Sequence, residues 1–244
     1  MRGSVGCMVT STSESEIAYP QKGFQVPVGA TDVLLIRHGQ SAGMTAANFR
    51  RTPSGQADPE LSDKGHRQAA AMAERMSRAG IEALYVSTLI RTQQTAAPLA
   101  SFTGLTPEVV PELREIALGD WEGGEFRRRL EQQDPMILTL MREGSWDYVP
   151  GGEGDAAFTA RVRAGLKKVV DAHPGERIAV VCHGGVIGAA IALATGCSPM
   201  AFMHVDNCSV SQLIVHEGLP IVRRVNDTAH LGPAFSQATD EPVM

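Results

Sequence analysis

Apolar residues along this chain occur in two patterns, as short β-branched runs and as longer segments in which they recur at helical spacing. The short runs are typical of strands, and those at 32–36 and 177–182 are typical of strands buried on both faces. The last two runs flank Glu217 and Gly218, which favours a hairpin. Strands are therefore predicted at 32–36, 83–87, 108–110, 177–182, 209–215 and 220–225.

The longer segments predict helices between these strands. Ser62 is the predicted N-cap of the first helix and Asp155 that of a later one, because short polar side chains accept hydrogen bonds from first-turn amides. Gly80 is the predicted stop of the first helix. A polar, helix-prone excursion at 127–142 is broken near Pro135 and ends at Gly144. The remaining helices are predicted at 61–78, 89–101, 156–172 and 186–194.

The alternation of strands and helices indicates an α/β fold. We expect a single domain with a mostly parallel central sheet and helices on both of its faces. This domain is predicted to span residues 31–232. Residues 1–30 are rich in Ser, Thr, Gly and Pro and lack periodicity, which predicts a disordered or loosely packed tail. A second tail is predicted at 233–244.

Composition limits the kinds of molecule that the protein is expected to bind. The 244 residues carry a net charge of −5 and the isoelectric point is about 5.8, so binding to nucleic acid or to an acidic membrane surface is not expected. No apolar run approaches the ~18 residues that span a bilayer. The four cysteines have neither CxxC nor metal-ligand spacing, as expected in a reducing compartment. A cytoplasmic protein is predicted, and an anionic ligand would need a local cluster of cations.

Two predicted strands end in a histidine followed by glycine. His38-Gly39 follows the first strand, and His183-Gly184 follows the strand at 177–182. Ligands of open α/β sheets bind beyond the carboxyl ends of strands, and glycine lets the backbone turn sharply there. One histidine at a strand end is more often a helix cap than a functional group. Two such sites in one chain favour a shared crevice.

Two arginines point to the kind of ligand. Arg37 directly precedes His38, and Arg91 begins the helix after the strand at 83–87. Guanidinium groups make strong bidentate contacts with phosphate. Arg91 alone would suggest a surface salt bridge, but together with the Arg37-His38 pair it favours a phosphate site.

Five stretches resemble, in order, the motifs of the histidine phosphatase superfamily, which includes the cofactor-dependent phosphoglycerate mutases. Any one of them is weak evidence, but five in this order between about 32 and 215 are highly specific. The stretches are Arg37-His38-Gly39-Gln40-Ser41, Leu61-Ser62-Asp63-Lys64-Gly65, residues 87–96 around Arg91, Leu113-Arg114-Glu115 with Gly119-Asp120-Trp121-Glu122-Gly123 after it, and Val181-Cys182-His183-Gly184-Gly185.

The resemblance implies the phosphoglycerate mutase-like fold and phosphoryl transfer through a phosphohistidine, with no metal and no cofactor. His38 is the implied nucleophile. Glu115 is the implied acid, which protonates the leaving oxygen and then activates water, and Glu122 is its rival. To act as an acid at pH 7, Glu115 must be desolvated or lie close to the negative charge of the substrate. The residues implied to surround the phosphate are Arg37, Gly39, Ser41, Arg91, Gly184 and His183, the last of which is also implied to be catalytic.

The chain departs from the family pattern in three places. Met44 stands where the family often carries an asparagine that helps to hold the phosphate or the nucleophile. Gly154 replaces the usual serine before the long helix. Leu118 stands where the mutases carry a tyrosine, and no lysine follows it. The basic run at 127–129 is either a solvated helix face or a contact for a second anionic group.

These features favour a metal-independent phosphatase of small phosphate monoesters. A phosphoglycerate mutase is the first alternative, and a catalytically weak protein that binds a phosphorylated ligand is the second. The presence of Glu115 argues against the weak binder, because a binder needs no proton donor. The expected partner is a small phosphorylated substrate, and the sequence leaves open whether the protein is a homodimer.

Overall fold

In the computed structural model, which describes residues 21–44 and 49–232, six strands form one sheet in the order β3-β2-β4-β1-β5-β6. The first four strands in that order run parallel, and β5 is antiparallel to both of its neighbours. The predicted α/β domain with a mostly parallel sheet is therefore confirmed. The strands are β1 (Thr31–Arg37), β2 (Ala83–Val86), β3 (Glu108–Val109), β4 (Arg177–Cys182), β5 (Val210–His216) and β6 (Leu219–Asp227).

Helices cover both faces of the sheet, as predicted. The described residues form α1 (Asp63–Met76), α2 (Ile90–Thr103), α3 (Glu125–Glu131), α4 (Pro135–Glu143), α5 (Asp155–Asp171) and α6 (Gly184–Thr195). Leu34 and Ile36 of β1 pack in one core with α1 and α2. Val33 and Leu35 pack in the other core with α5 and α6. Successive strand residues point to opposite faces, so β1 is apolar at every central position and buried on both sides.

One of the two predicted helix caps is confirmed and the other is wrong. The Ser62 hydroxyl accepts a hydrogen bond from the Gly65 amide at 3.1 Å, so Ser62 caps α1. Asp155 does not cap α5, because it is the first residue of that helix and Gly154 occupies the cap position. The Asp155 carboxylate instead accepts hydrogen bonds from the Ser145 hydroxyl at 2.5 Å and the Trp146 amide at 3.2 Å. It therefore ties α5 to the preceding loop.

The polar excursion at 127–142 is two helices, α3 and α4, separated as predicted just before Pro135. Asp134 caps α4 by accepting from the Met136 amide at 2.8 Å, and Gly144 ends it in the left-handed conformation. Helix α1 ends at Met76, four residues before the predicted stop at Gly80. Residues 1–20 and 233–244 lie outside the described residues, so the two predicted tails stay predictions. Within the described ranges no helix is long and apolar enough to span a membrane.

Candidate active site

The two histidine motifs meet at one edge of the sheet because β1 and β4 are neighbours. They pair in parallel with Arg37 opposite Cys182, so the next residue of each strand is a histidine. The His38 amide donates to the Cys182 carbonyl at 3.0 Å, which extends this pairing by one step. The imidazole rings of His38 and His183 lie 5.2 Å apart between centroids. The two histidines are brought together as expected, but of the two only His38 lines the pocket formed by the described residues.

The glycines after the two histidines permit close backbone packing. A Cβ atom on Gly39 would lie 2.6 Å from the Gly65 carbonyl oxygen, and one on Gly184 would lie 2.6 Å from the Met203 carbonyl oxygen. The Gly39 amide donates to the Thr95 hydroxyl at 2.9 Å. Neither glycine lines the pocket formed by the described residues. Their predicted contact with phosphate stays a prediction, and their visible role is steric.

Hydrogen bonds fix the orientation of the His38 ring. Its Nδ1 lies 2.7 Å from the Gly39 carbonyl oxygen. A carbonyl only accepts, so Nδ1 of the neutral ring carries the proton and Nε2 carries the lone pair. Nε2 accepts a hydrogen bond from Arg91 Nε at 3.3 Å. The Asn207 side chain donates to the His38 carbonyl at 2.9 Å and secures the backbone.

Both imidazoles are held in the neutral form. Burial lowers the pKa of His38 well below its ordinary value, and the positive charges of Arg91 and Arg37 lower it further. Burial also lowers the pKa of His183, again with a contribution from Arg91. Because a charged imidazole is disfavoured both by desolvation and by neighbouring cations, His38 presents an unprotonated Nε2 at neutral pH.

His183 lies behind His38 and is completely buried. Its Nε2 is 2.8 Å from the Ser87 hydroxyl at the end of β2. Its Nδ1 is buried and has no hydrogen-bond partner among the described residues. His183 is therefore beside the nucleophile candidate but is not part of the pocket wall.

Arg37 and Arg91 both line the pocket beside His38. A backbone carbonyl holds each guanidinium, that of Val205 for Arg37 and that of Ala57, at 3.3 Å, for Arg91. Burial lowers the pKa of Arg91 to about 10, although Glu115 and Asp58 oppose the shift. Arg91 remains charged at neutral pH, and its Nη1 lies 3.8 Å from Oδ1 of Asp58.

Glu115 is a half-buried residue whose side chain lines the same pocket. It accepts hydrogen bonds from the Ile116 amide at 3.0 Å and from the Gly185 amide at 3.3 Å. A Cβ atom on Gly185 would lie 2.5 Å from Glu115 Oε1, so this glycine makes room for the carboxyl. Burial raises the pKa of Glu115, partly offset by the Ile116 amide and by Arg91. The desolvation required of the predicted acid is present.

Glu122, the rival acid, also lines the pocket, but its carboxylate is engaged in holding two loops. One oxygen accepts from the Ala57 amide at 2.7 Å, and the other accepts from the Leu118 amide at 2.9 Å. This arrangement makes Glu122 a loop anchor, whereas burial raises the pKa of Glu115.

Met44, Gln56 and Phe126 also line the pocket, and Phe126 lies on α3. Arg127 Nη2 donates to the Ser41 hydroxyl at 3.2 Å, so one member of the basic run reaches the pocket. The other two do not, since Arg128 and Arg129 pair with Glu125. Sequence reasoning gave no role to Gln56, Ser87 or Thr95, because their partners are distant in sequence and no local pattern marks them.

Buried imidazoles, exposed and buried guanidiniums and a desolvated carboxyl around one pocket define a site for transfer of an anionic group such as phosphoryl. In the described ranges, no three His, Cys, Asp or Glu side chains cluster closely enough to hold a metal ion. The sequence profile of the histidine phosphatase superfamily (branch 1) matches residues 33–228. The chain belongs to this superfamily, as its motifs predicted.

Relatives include both mutases and phosphatases by name. The protein named Probable phosphoglycerate mutase GpmB from Yersinia enterocolitica is 31% identical over 214 residues, covering 84% of this chain and 97% of its own. The structure of a mycobacterial glucosyl-3-phosphoglycerate phosphatase is 28% identical with a TM-score of 0.67, covering 81% of this chain and 99% of its own. The structure of the alpha-ribazole phosphatase from Shigella flexneri is 26% identical with a TM-score of 0.64, and the match covers 81% of this chain and 96% of that one.

Proposed function

We propose that the protein is a metal-independent phosphatase that hydrolyses small phosphate monoesters through a phosphohistidine at His38. The observation that carries this proposal is the state of the His38 ring. Its Nδ1 proton is bound to the Gly39 carbonyl, so the lone pair lies on Nε2 at the pocket, where Arg91 Nε donates to it at 3.3 Å and must release it before attack. A neutral imidazole held in one tautomer is prepared for nucleophilic attack.

In the first step, Nε2 of His38 attacks phosphorus and the ester P–O bond breaks. Negative charge on the three equatorial oxygens is stabilised by Arg37 and Arg91, which line the pocket. The predicted contact of His183 with the phosphate stays a prediction, because this ring lies behind His38 and does not line the pocket.

Glu115 is proposed to transfer the protons. In the first step its carboxyl gives a proton to the leaving alkoxide, so the alcohol departs neutral. In the second step the carboxylate takes a proton from water as the water oxygen attacks phosphorus, the P–N bond breaks and phosphate leaves. The raised pKa of this carboxyl supports this role, because the protonated form must be accessible near neutral pH.

A phosphoglycerate mutase is the second candidate, favoured by the names of curated relatives. A mutase must keep the phosphoenzyme away from water while the substrate reorients. Leu118 lines the pocket at the position where the mutases carry a tyrosine, and the segment after it lacks their lysine. These differences support hydrolysis as the fate of the phosphoryl group.

Arg127 suggests one feature of the substrate. Its guanidinium stands at the pocket beside Ser41, apart from the arginines assigned to the phosphate. A phosphoglycerate appears in the names of both a mutase and a phosphatase among the relatives, and it carries a carboxylate as well as a phosphate. We therefore propose that a second anionic group on the substrate pairs with Arg127.

Product analysis tests the proposed function. Purified protein in EDTA should release inorganic phosphate steadily from a panel of phosphate monoesters. It should interconvert 2- and 3-phosphoglycerate slowly or not at all, even with a bisphosphate primer, because water intercepts the phosphoenzyme. Isomerisation faster than phosphate release would establish the mutase instead, and restoration of a lost rate by a divalent ion would refute the metal-independent mechanism.

Replacement of the proposed acid should discriminate between leaving groups. Nitrophenolate departs without a proton, whereas an alkoxide needs one. We expect Glu115→Gln to lower kcat/KM for glycerol phosphate by about 10²–10⁴, the usual range for general acid catalysis, and to change kcat/KM for nitrophenyl phosphate far less. Glu122→Gln is the matched control, and a stronger leaving-group effect in that variant would transfer the role of acid to Glu122.

The proposed anion contact is tested by comparing two neighbouring arginines. Arg127→Gln should raise KM for 3-phosphoglycerate by roughly two- to fivefold, as expected for a partly exposed ion pair, and leave KM for nitrophenyl phosphate nearly unchanged. Arg128→Gln is the control, because Arg128 pairs with Glu125 outside the pocket. Equal effects of the two substitutions would remove Arg127 from substrate recognition.

A further inference from the structure

A largely buried arginine behind the pocket binds the loop that carries Glu115. Arg161 lies on α5, and its guanidinium contacts three successive parts of that loop. Nη1 donates to the carbonyl oxygens of Glu112 and Arg114, both at 2.7 Å, and Nη2 donates to the Glu115 carbonyl at 3.2 Å. One side chain therefore holds the backbone that leads into the proposed acid.

Glu153 completes this arrangement. Its carboxylate accepts from Arg161 Nε at 2.7 Å and from Nη2 at 2.6 Å, and the exposed fractions of the two side chains are 13% and 10%. The same carboxylate accepts from the Ala117 amide at 3.3 Å, and the Glu153 amide donates to the Ala117 carbonyl at 3.0 Å. The ion pair thus contacts the loop before and after Glu115.

Every N–H group of the Arg161 guanidinium is used. A guanidinium has five such groups, and the five bonds described above engage Nε and both terminal nitrogens in the plane of the group. Arg161 does not line the pocket among the described residues, so a direct contact with phosphate is not its function. Lysine, a single point charge, cannot reproduce this planar set of bonds.

A small movement of this loop would displace the Glu115 carboxyl, which fits into a narrow space. The Glu115 carboxyl occupies space that only a glycine at position 185 leaves open, since a Cβ atom there would lie 2.5 Å from Oε1. A second side chain, Gln56, donates to the same Glu115 carbonyl that Arg161 contacts. A displacement of about 1 Å at a catalytic group can cost about 10²-fold in rate.

We propose that Arg161, held by Glu153, is a positioning residue for Glu115. Arg161 sets the Glu115 carboxyl at the distance from which this carboxyl protonates the leaving oxygen. The inference rests on the proposed role of Glu115 as the acid. It concerns only proton transfer, so attack of His38 on phosphorus should not depend on Arg161. A residue that merely stabilises the fold would affect all substrates alike.

The test compares kcat/KM for glycerol phosphate and nitrophenyl phosphate in Arg161→Lys and Glu153→Gln. We expect Arg161→Lys to lose roughly 10- to 100-fold on glycerol phosphate and less than about threefold on nitrophenyl phosphate. Glu153→Gln, which keeps Arg161 but weakens its anchor, should show a smaller loss of the same kind. Arg163→Lys is the matched control, because Arg163 is an exposed arginine on the same helix.

A double variant that carries both Arg161→Lys and Glu115→Gln distinguishes a loss of positioning from a general loss of activity. If Arg161 acts through Glu115, adding Arg161→Lys to Glu115→Gln should cost less than about twofold more on glycerol phosphate. Full additivity, or equal losses on both substrates in Arg161→Lys, would overturn the proposal while leaving the acid in place. Absence of a leaving-group effect in Glu115→Gln itself would overturn the assignment of the acid and this inference with it. Thermal unfolding checks that each variant is folded. If the Arg161→Lys variant does not fold, Glu153→Gln provides the test.

Discussion

The parallel pairing of β1 with β4 is the constraint on which the site depends. Because Arg37 stands opposite Cys182, the residues that follow the two strands, His38 and His183, emerge side by side. A shift of one residue in this register would place one histidine on the opposite face of the sheet. The register is fixed by the two buried cores, since each strand presents apolar side chains to both of them.

The placement of two arginines beside buried imidazoles gives the site its chemistry. Arg37 and Arg91 lie close to two buried imidazoles, and each arginine makes a protonated ring less favourable. Desolvation also lowers the pKa of both histidines, whereas it raises the pKa of the Glu115 carboxyl. His38 therefore stays neutral, and protonation of Glu115 becomes easier. A substrate phosphate would add negative charge beside Arg37 and Arg91, which line the pocket next to His38.

The sequence predicted what is encoded locally and missed what depends on packing. The apolar runs predicted β1 and β4, and the glycine after each histidine marked a position of close backbone packing. Asp155 was misplaced as a cap, because its partners Ser145 and Trp146 belong to a loop whose path no local pattern specifies. The contacts of Gln56 and Arg161 were not predicted for the same reason, since these residues lie 59 and 46 positions from Glu115 in the sequence.

Trapping the covalent intermediate tests the central claim most directly. In Glu115→Gln, nitrophenyl phosphate should still phosphorylate His38, but water should attack the phosphoenzyme slowly. Rapid mixing should therefore give a burst of nitrophenolate close to one equivalent per active site, and labelled phosphate should remain on the His38 peptide as an acid-labile, base-stable adduct. Label on another residue, or an undiminished burst after the further change His38→Asn, would contradict the phosphohistidine mechanism.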